Sequence, residues 1–129
     1  MLINLSNHPA TSWGAPQRAA AAPYGPIEDW PFPAIPPEWD DRQVAALAQR
    51  YARRITDRLR EAGPGPHAVH VMGEQTFTCT LVRLLQQKGI LCLAATSHRI
   101  VEEDPTRGRK IAYFRFVRFR KYPVCLQSS

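Results

Sequence analysis

Three short apolar runs in this sequence are each followed by a polar segment, and the residues between the runs have apolar side chains at the spacing of a helix. They are Met1–Leu5, His67–Met72 and Ile90–Ala95. Apolar runs of this length predict strands that are buried on both faces, as in a parallel sheet covered by helices. Because parallel strands need a crossover between them, the alternation predicts an α/β fold.

Helical spacing is clearest in Asp41–Ala62, where apolar side chains recur every three or four residues. Asp40 and Gln43 form a capping-box pattern before this segment, and Gly63 suits the position after its last turn. The pattern also predicts a short helix within residues 12–22, a short strand within 26–29 and a helix from Thr76 to Lys88.

The last part of the chain follows a different pattern, which predicts a β-hairpin over about residues 99–122. Its apolar side chains change phase near Phe116 and Val117, so we expect a β-bulge there. The whole chain, residues 1–129, is predicted to be one domain. We expect a small Rossmann-like three-layer sandwich whose parallel sheet has the order 2-1-3-4, with the antiparallel hairpin extending one edge.

Ligands of open parallel sheets bind beyond the carboxyl ends of the strands, where the strand order reverses. Three polar segments follow the apolar runs and are expected to meet at that edge. They are Ser6 to His8, Gly73 to Thr76 and Thr96 to Arg99. This edge is therefore the predicted binding site.

The first segment offers His8, whose imidazole can donate or accept a proton near neutral pH. Asn7 supplies an amide beside it, and Ser6 a hydroxyl. The alternative is that Asn7 and His8 only cap the following helix or tie the turn.

The second segment combines Gly73 with a predicted helix N-terminus, a combination that favours bound phosphate or another anion. Glu74 would oppose an anion, so it is expected to bond a ribose hydroxyl or to cap the helix. Gln75 and Thr76 complete the segment, and ordinary capping by Glu74 and Thr76 is the alternative. Neither G-x-G-x-x-G nor Walker A occurs, which disfavours a dinucleotide cofactor and nucleoside triphosphate hydrolysis.

The third segment offers Thr96, Ser97, His98 and Arg99. Arg99 can hold a phosphate through two parallel hydrogen bonds, or it can pair with a nearby glutamate instead. His98 is the second candidate for proton transfer, after His8.

Two further histidines, His67 and His70, lie before or within a predicted strand and are interpreted as structural. The aromatic side chains of the proline-rich segment 30–39 are interpreted as cover for the core, with ligand stacking as the alternative.

Positive charge is concentrated at the end of the chain, where residues 107–122 contain seven bases and no acid. These bases are Arg107, Arg109, Lys110, Arg115, Arg118, Arg120 and Lys121. A basic strand of this kind attracts phosphate, nucleic acid or an acidic partner, or protects a solvated sheet edge from aggregation.

The cysteines and the apolar runs indicate a cytoplasmic protein. Cys79, Cys92 and Cys125 have no close pairing and are interpreted as reduced thiols. No apolar run is long enough to span a membrane, and the first residues do not resemble a signal peptide. No zinc-ligand spacing occurs, so neither a metal nor a cofactor is expected.

Four stretches of the sequence are similar to small stand-alone CRISPR-associated proteins: LINLSNHP, HVMGEQTFT, LAATSHRIVEE and FRFVRFRKY. The chain resembles the CARF-like modules of type III CRISPR systems, a group that includes the single-domain ring nucleases. The resemblance spans most of the chain in layout.

The resemblance implies a homodimer that binds a cyclic oligoadenylate, with cyclic tetra-adenylate as the expected ligand, and cleaves it without a metal, so that signalling is switched off. Such a dimer requires no DNA. The implied ligand-binding positions are the three polar segments described above, and His8 and His98 are the candidate catalytic residues. Two alternatives remain: a non-catalytic sensor or sequestering module for the same messenger, and an interaction module that uses the basic last strand.

Overall fold

The computed structural model describes residues 1–124, which form five strands and three α-helices. In chain order they are β1 (Leu2–Ser6), α1 (Ala15–Ala21), β2 (Ile27–Pro31), α2 (Asp41–Glu61), β3 (Ala68–Met72), α3 (Gln75–Gln87), β4 (Leu91–Asp104) and β5 (Arg109–Lys121). Short 3-10 turns at Ala10–Ser12 and Ala22–Tyr24 flank α1. Cys125 lies outside the described residues.

The five strands form one mixed sheet of order β2-β1-β3-β4-β5. The first four strands are parallel, and β5 pairs antiparallel with β4 at one edge. The predicted α/β class and the antiparallel C-terminal hairpin are confirmed. Among residues 1–124, no helix combines the length and apolar character needed to cross a membrane.

The prediction that the strand ends where the polar segment Thr96–Arg99 begins is wrong, because β4 runs without a break from Leu91 to Asp104. Its backbone is paired with β5 from Leu93 to Asp104, so the polar residues continue the strand. The pairing of β3 with β4 ends at His70 and Leu93. Beyond that point β4 and β5 project from the sheet as a two-stranded ribbon, Thr96–Asp104 with Arg109–Arg118, called the ribbon below.

The ribbon contains the predicted bulge. Thr96 pairs with Arg118 and Ser97 with Phe116, so Val117 is the extra residue on β5. If β5 alternated regularly with no bulge, Phe116 and Phe119, three residues apart, would lie on opposite faces of the strand. Their ring centroids lie 5.1 Å apart, which shows that the bulge brings both rings to the same side.

The core is divided between the two faces of the sheet. On one face, Ile3, Leu5, Val69 and Val71 pack under α2 and α3. On the other face, Leu2, Ala68 and Leu93 pack under Trp13 and α1. The alternation of side chains along each strand explains this division. The sheet is therefore the middle of three layers.

Local signals in the sequence match the elements that they predict. The carboxylate of Asp40 accepts a hydrogen bond from the backbone N–H of Gln43, and the Gln43 side chain accepts one from the N–H of Asp40, which completes the capping box of α2. Trp30, Phe32 and Trp39 of the proline-rich segment pack against the core. The interpretation of these aromatic residues as core cover is confirmed.

Candidate ligand-binding site at the carboxyl edge of the sheet

A cleft of about 370 Å³ opens at the carboxyl ends of β1 and β2. It is lined by Asn4, Ser6, Asn7, Pro9, Asp29, Trp30, Pro31 and Phe32. Ser6 and Asn7, from the first predicted polar segment, therefore border a cavity. The cleft lies between β1 and β2, one strand away from the β1–β3 position that the strand order predicted.

A buried hydrogen-bond network supports this edge from below, and its centre is Asn4. The Asn4 amide nitrogen donates to the carboxylate of Asp29 and to the backbone oxygen of His8, both at 2.8 Å. Its amide oxygen accepts from the hydroxyl of Ser6 at 2.9 Å and bonds Nδ1 of His70 at 2.8 Å. Every donor and acceptor of the Asn4 side chain is thus used.

His70 is buried at the end of this network, where β3 and β4 separate. The backbone N–H of Ala95 donates to its Nε2 at 3.3 Å. Because Nε2 accepts, the ring proton lies on Nδ1, which donates to Asn4. Burial, with a smaller contribution from the charge of His8, lowers the pKa of His70 to about 4. The interpretation of His70 as structural is consistent with these contacts.

Acid is therefore expected to weaken the fold through His70. The unfolded state binds the proton near pH 6.5 and the folded state only near pH 4, so stability is complete above pH 6.5 and falls between these values. The loss should reach about 3 kcal/mol at the lower end of that range. Urea unfolding of the wild type and of His70→Gln at pH 5 and 6.5 measures it. An equal decrease for both proteins would contradict this assignment.

The turn after β1 holds the backbone of His8 and leaves its imidazole exposed. The backbone oxygen of His8 accepts from Asn4 and from Nε1 of Trp13, the latter at 3.2 Å. The His8 N–H donates to the hydroxyl of Ser6, also at 3.2 Å. Its ring has no hydrogen-bond partner among residues 1–124. The structure thus fixes the position of His8 and keeps its ring nitrogens available to a ligand.

The second polar segment is occupied by its own carboxylate. Glu74 caps α3 by accepting hydrogen bonds from the backbone N–H groups of Thr76 and Phe77 at 3.0 and 2.8 Å. The hydroxyl of Thr76 donates to the same carboxylate. These bonds lower the pKa of Glu74, and the bond from the backbone of Phe77 has the largest effect. The capping alternative is therefore what the structure shows at this turn.

Packing requires a glycine at position 73, because a Cβ there would collide with the ring of Phe32. Gln75 lies on the far side of this turn, where it lines a second groove of about 730 Å³ between α3 and residues 122–124. Gly73 borders the same groove. The second segment thus adjoins a different cavity from that of Ser6 and Asn7.

The third segment does not line the cleft that Ser6 and Asn7 border. Thr96 and His98 lie on one side of the ribbon and Ser97 and Arg99 on the other, because the four residues alternate along β4. Ala95 is the last β4 residue that bonds β3 side chains, those of His70 and Met72. Arg99 follows it by four residues, or about 13 Å of extended chain.

The network residues Asn4, Asp29 and His70 were not predicted as part of the site. Two signals pointed to them: a single asparagine inside an otherwise apolar strand, and an aspartate at the end of the short second strand. Among residues 1–124, no three His, Cys, Asp or Glu side chains are close enough together to hold a metal ion.

Comparison with known proteins identifies one family. The family model described as "Uncharacterized protein MJ1673 family" matches residues 1–120. Neither the search of curated proteins nor that of solved structures produced a match.

Proposed function

The chain belongs to the MJ1673 family, and from the geometry of its sheet edge we propose that it binds a cyclic oligoadenylate there and cleaves it without a metal. The protein would act as a homodimer that switches off type III CRISPR signalling. One observation carries the proposal: His8 lies between Asn7 and Pro9, which line the cleft, its backbone is held by Asn4, Ser6 and Trp13, and its ring is exposed.

The lining of the cleft suits part of a nucleotide. Asn7 and Ser6 supply polar groups that can bond ribose hydroxyls or base edges, and Trp30 and Phe32 supply apolar surface for a base. A volume of about 370 Å³ is near the lower end for small-molecule sites. One cleft would therefore take a portion of the ring, and a two-fold dimer would carry two such clefts.

The reaction can proceed with protein groups alone. The ribose 2′-oxygen attacks the adjacent 3′-phosphorus, an O2′–P bond forms and the P–O5′ bond breaks. The 2′-OH proton passes to a base, and a proton is delivered to the leaving 5′-oxygen. The products are a linear oligonucleotide with a 2′,3′-cyclic phosphate and a 5′-OH. His8 is the proposed proton-transfer group and Asn7 orients the ligand.

Incubation with excess cyclic tetra-adenylate or cyclic hexa-adenylate in the presence of EDTA tests the proposal. We expect repeated turnover of the tetra-adenylate, with the 2′,3′-cyclic phosphate product identified by chromatography and mass spectrometry. Binding without turnover would support the sequestering module instead. Absence of binding to either ring would contradict the proposed ligand class.

The basic side of the ribbon supports a second candidate function, binding of single-stranded nucleic acid. Arg115, Arg118 and Arg120 have no acidic partner within 4.0 Å among residues 1–124. Because Thr96, His98 and these arginines face the same side of the ribbon, the positive charge forms a row. Binding of a single-stranded RNA, measured at increasing salt concentration, tests this candidate function. Binding through phosphate contacts must weaken steeply as salt increases.

A further inference from the structure

The ribbon exposes more large apolar side chains than any other part of residues 1–124. Its two faces are distinguished by the pairing of β4 with β5. One face, called the aromatic face, carries Val101, Ala112, Phe114 and Phe116 and continues into Phe119 and Trp13 at the sheet. Phe114 is 72% exposed and Val101 47% exposed.

A ribbon of two strands is marginally stable in water without a third element against it. Among the described residues, aromatic contacts support the base of this ribbon, where Phe119 packs beside Trp13 and Phe116 beside Phe119. Phe114 and Val101 lie farther out along the strands and are exposed. The bulge at Val117 places the phenylalanines in one row, as expected of a surface that is covered in the working protein.

Both faces of the ribbon carry charged side chains, and the charges are arranged differently. The opposite face, called the basic face, carries Arg109, Arg115 and Arg118 together with Glu102 and Asp104, and its arginines continue to Arg120 at the sheet. On the ribbon, the aromatic face carries Arg99, Lys110 and Glu103, and Lys110 pairs with Glu103 at 3.7 Å. On this face Arg99 and Glu103, a base and an acid, lie on either side of the apolar pair Val101 and Ala112.

We propose that the aromatic face of the ribbon is the homodimer interface and that its occupant is the aromatic face of a second copy. In this arrangement two ribbons stack antiparallel about a two-fold axis that passes beside Val101 and Ala112. β4 then lies over β4 of the partner subunit and β5 over β5. Two-fold symmetry makes each contact occur twice.

The sequence of the aromatic face is self-complementary in this register. Arg99 and Glu103 are equally far from Val101 along β4, so the two-fold axis brings Arg99 of each copy to Glu103 of the partner subunit. Along β5, Phe114 and Lys110 are equally far from Ala112. The aliphatic stem and ammonium group of Lys110 therefore lie over the ring of Phe114 of the partner subunit. Opposite charges meet and the apolar residues lie at the centre.

This interface deepens the proposed function, because it names the surface that forms the dimer, yet it is measured independently of any ligand. The mass of the free protein in solution tests the interface, and turnover of a cyclic oligoadenylate tests the function. A dimer through this surface without nucleotide binding would contradict the function alone. A monomer that binds the messenger would contradict the interface alone.

The first test uses two exposed apolar residues of β5 that differ in face. Phe114→Lys is expected to convert a dimer into a monomer at 10 µM, as measured by light scattering during size-exclusion chromatography. Ile111, which is 52% exposed, lies on the basic face, and Ile111→Lys is expected to remain dimeric. Circular dichroism of each variant shows that the fold is retained. A monomeric wild type or a dimeric Phe114→Lys would overturn the interface.

The second test exchanges charge without changing apolar area. Arg99→Glu and Glu103→Arg are each expected to raise the dissociation constant of the dimer at least tenfold, because each single change opposes like charges twice. The double variant, Arg99→Glu with Glu103→Arg, restores the opposite charges and is expected to dimerise like the wild type. If the double variant instead weakens the dimer by the combined effect of the two single changes, this register is wrong.

Discussion

Replacement of His8 by alanine is expected to lower the turnover of cyclic oligoadenylate by about 10²–10⁴-fold, the usual range for loss of a general acid or base. The dissociation constant should change much less, because the ring of His8 is free while Asn7 and the cleft residues remain in place. Single-turnover rates at saturating enzyme, with binding measured separately, distinguish the two effects.

Two further variants test whether the loss belongs to His8. Asn7→Ala should weaken binding and slow cleavage together, since an amide at that position orients the ligand and does not titrate. His98→Ala changes the second candidate, which lies on the ribbon beyond the last β4 contact with β3. If His8→Ala keeps full activity and His98→Ala loses it, the proton-transfer role belongs to His98 on the ribbon.

The second large effect concerns stability and does not depend on any ligand. Asn4→Leu is expected to lower the free energy of unfolding by about 3 kcal/mol, because it leaves a buried Nδ1–H of His70 without an acceptor and removes the bonds to Asp29 and to the backbone oxygen of His8. Leucine has the same number of side-chain heavy atoms and the same branching as asparagine, so the loss of hydrogen bonds is the main change. Urea unfolding at pH 7 followed by tryptophan fluorescence measures the change.

Asn7→Leu is the matched control for Asn4→Leu, because it makes the same chemical change three residues later in the chain, at an exposed position. Its effect on stability should stay within about 0.5 kcal/mol. Equal destabilisation by the two substitutions would show that the turn tolerates neither leucine, and that the network around Asn4 contributes nothing of its own.

The sequence alone was sufficient for the features that neighbouring residues determine. Apolar periodicity predicted α2 and the α/β alternation, and the pair Asp40 and Gln43 predicted the start of α2. The change of phase in the last strand predicted the bulge at Val117. In each case the interacting groups lie within a few residues, so propensity and periodicity carry the information.

Where two local signals competed, the sequence left both interpretations open. Gly73 to Thr76 matched either an anion site or a capped helix, and the carboxylate of Glu74 occupies the N–H groups in the structure. Thr96 to Arg99 matched a loop because the segment is polar, yet β5 supplies the backbone partners that make it a strand. Pairing with a distant strand outweighed local composition there.

Tertiary structure alone decided which side chains meet beneath the candidate site. Asn4 bonds Asp29 across 25 residues and His70 across 66, and both contacts require the parallel register of β1 with β2 and β3. The local sequence marks Asn4 as polar in an apolar strand, but it does not show which residues Asn4 will bond. Their bonds arise because the crossovers place three strands side by side, and burial then makes every unpaired polar atom costly.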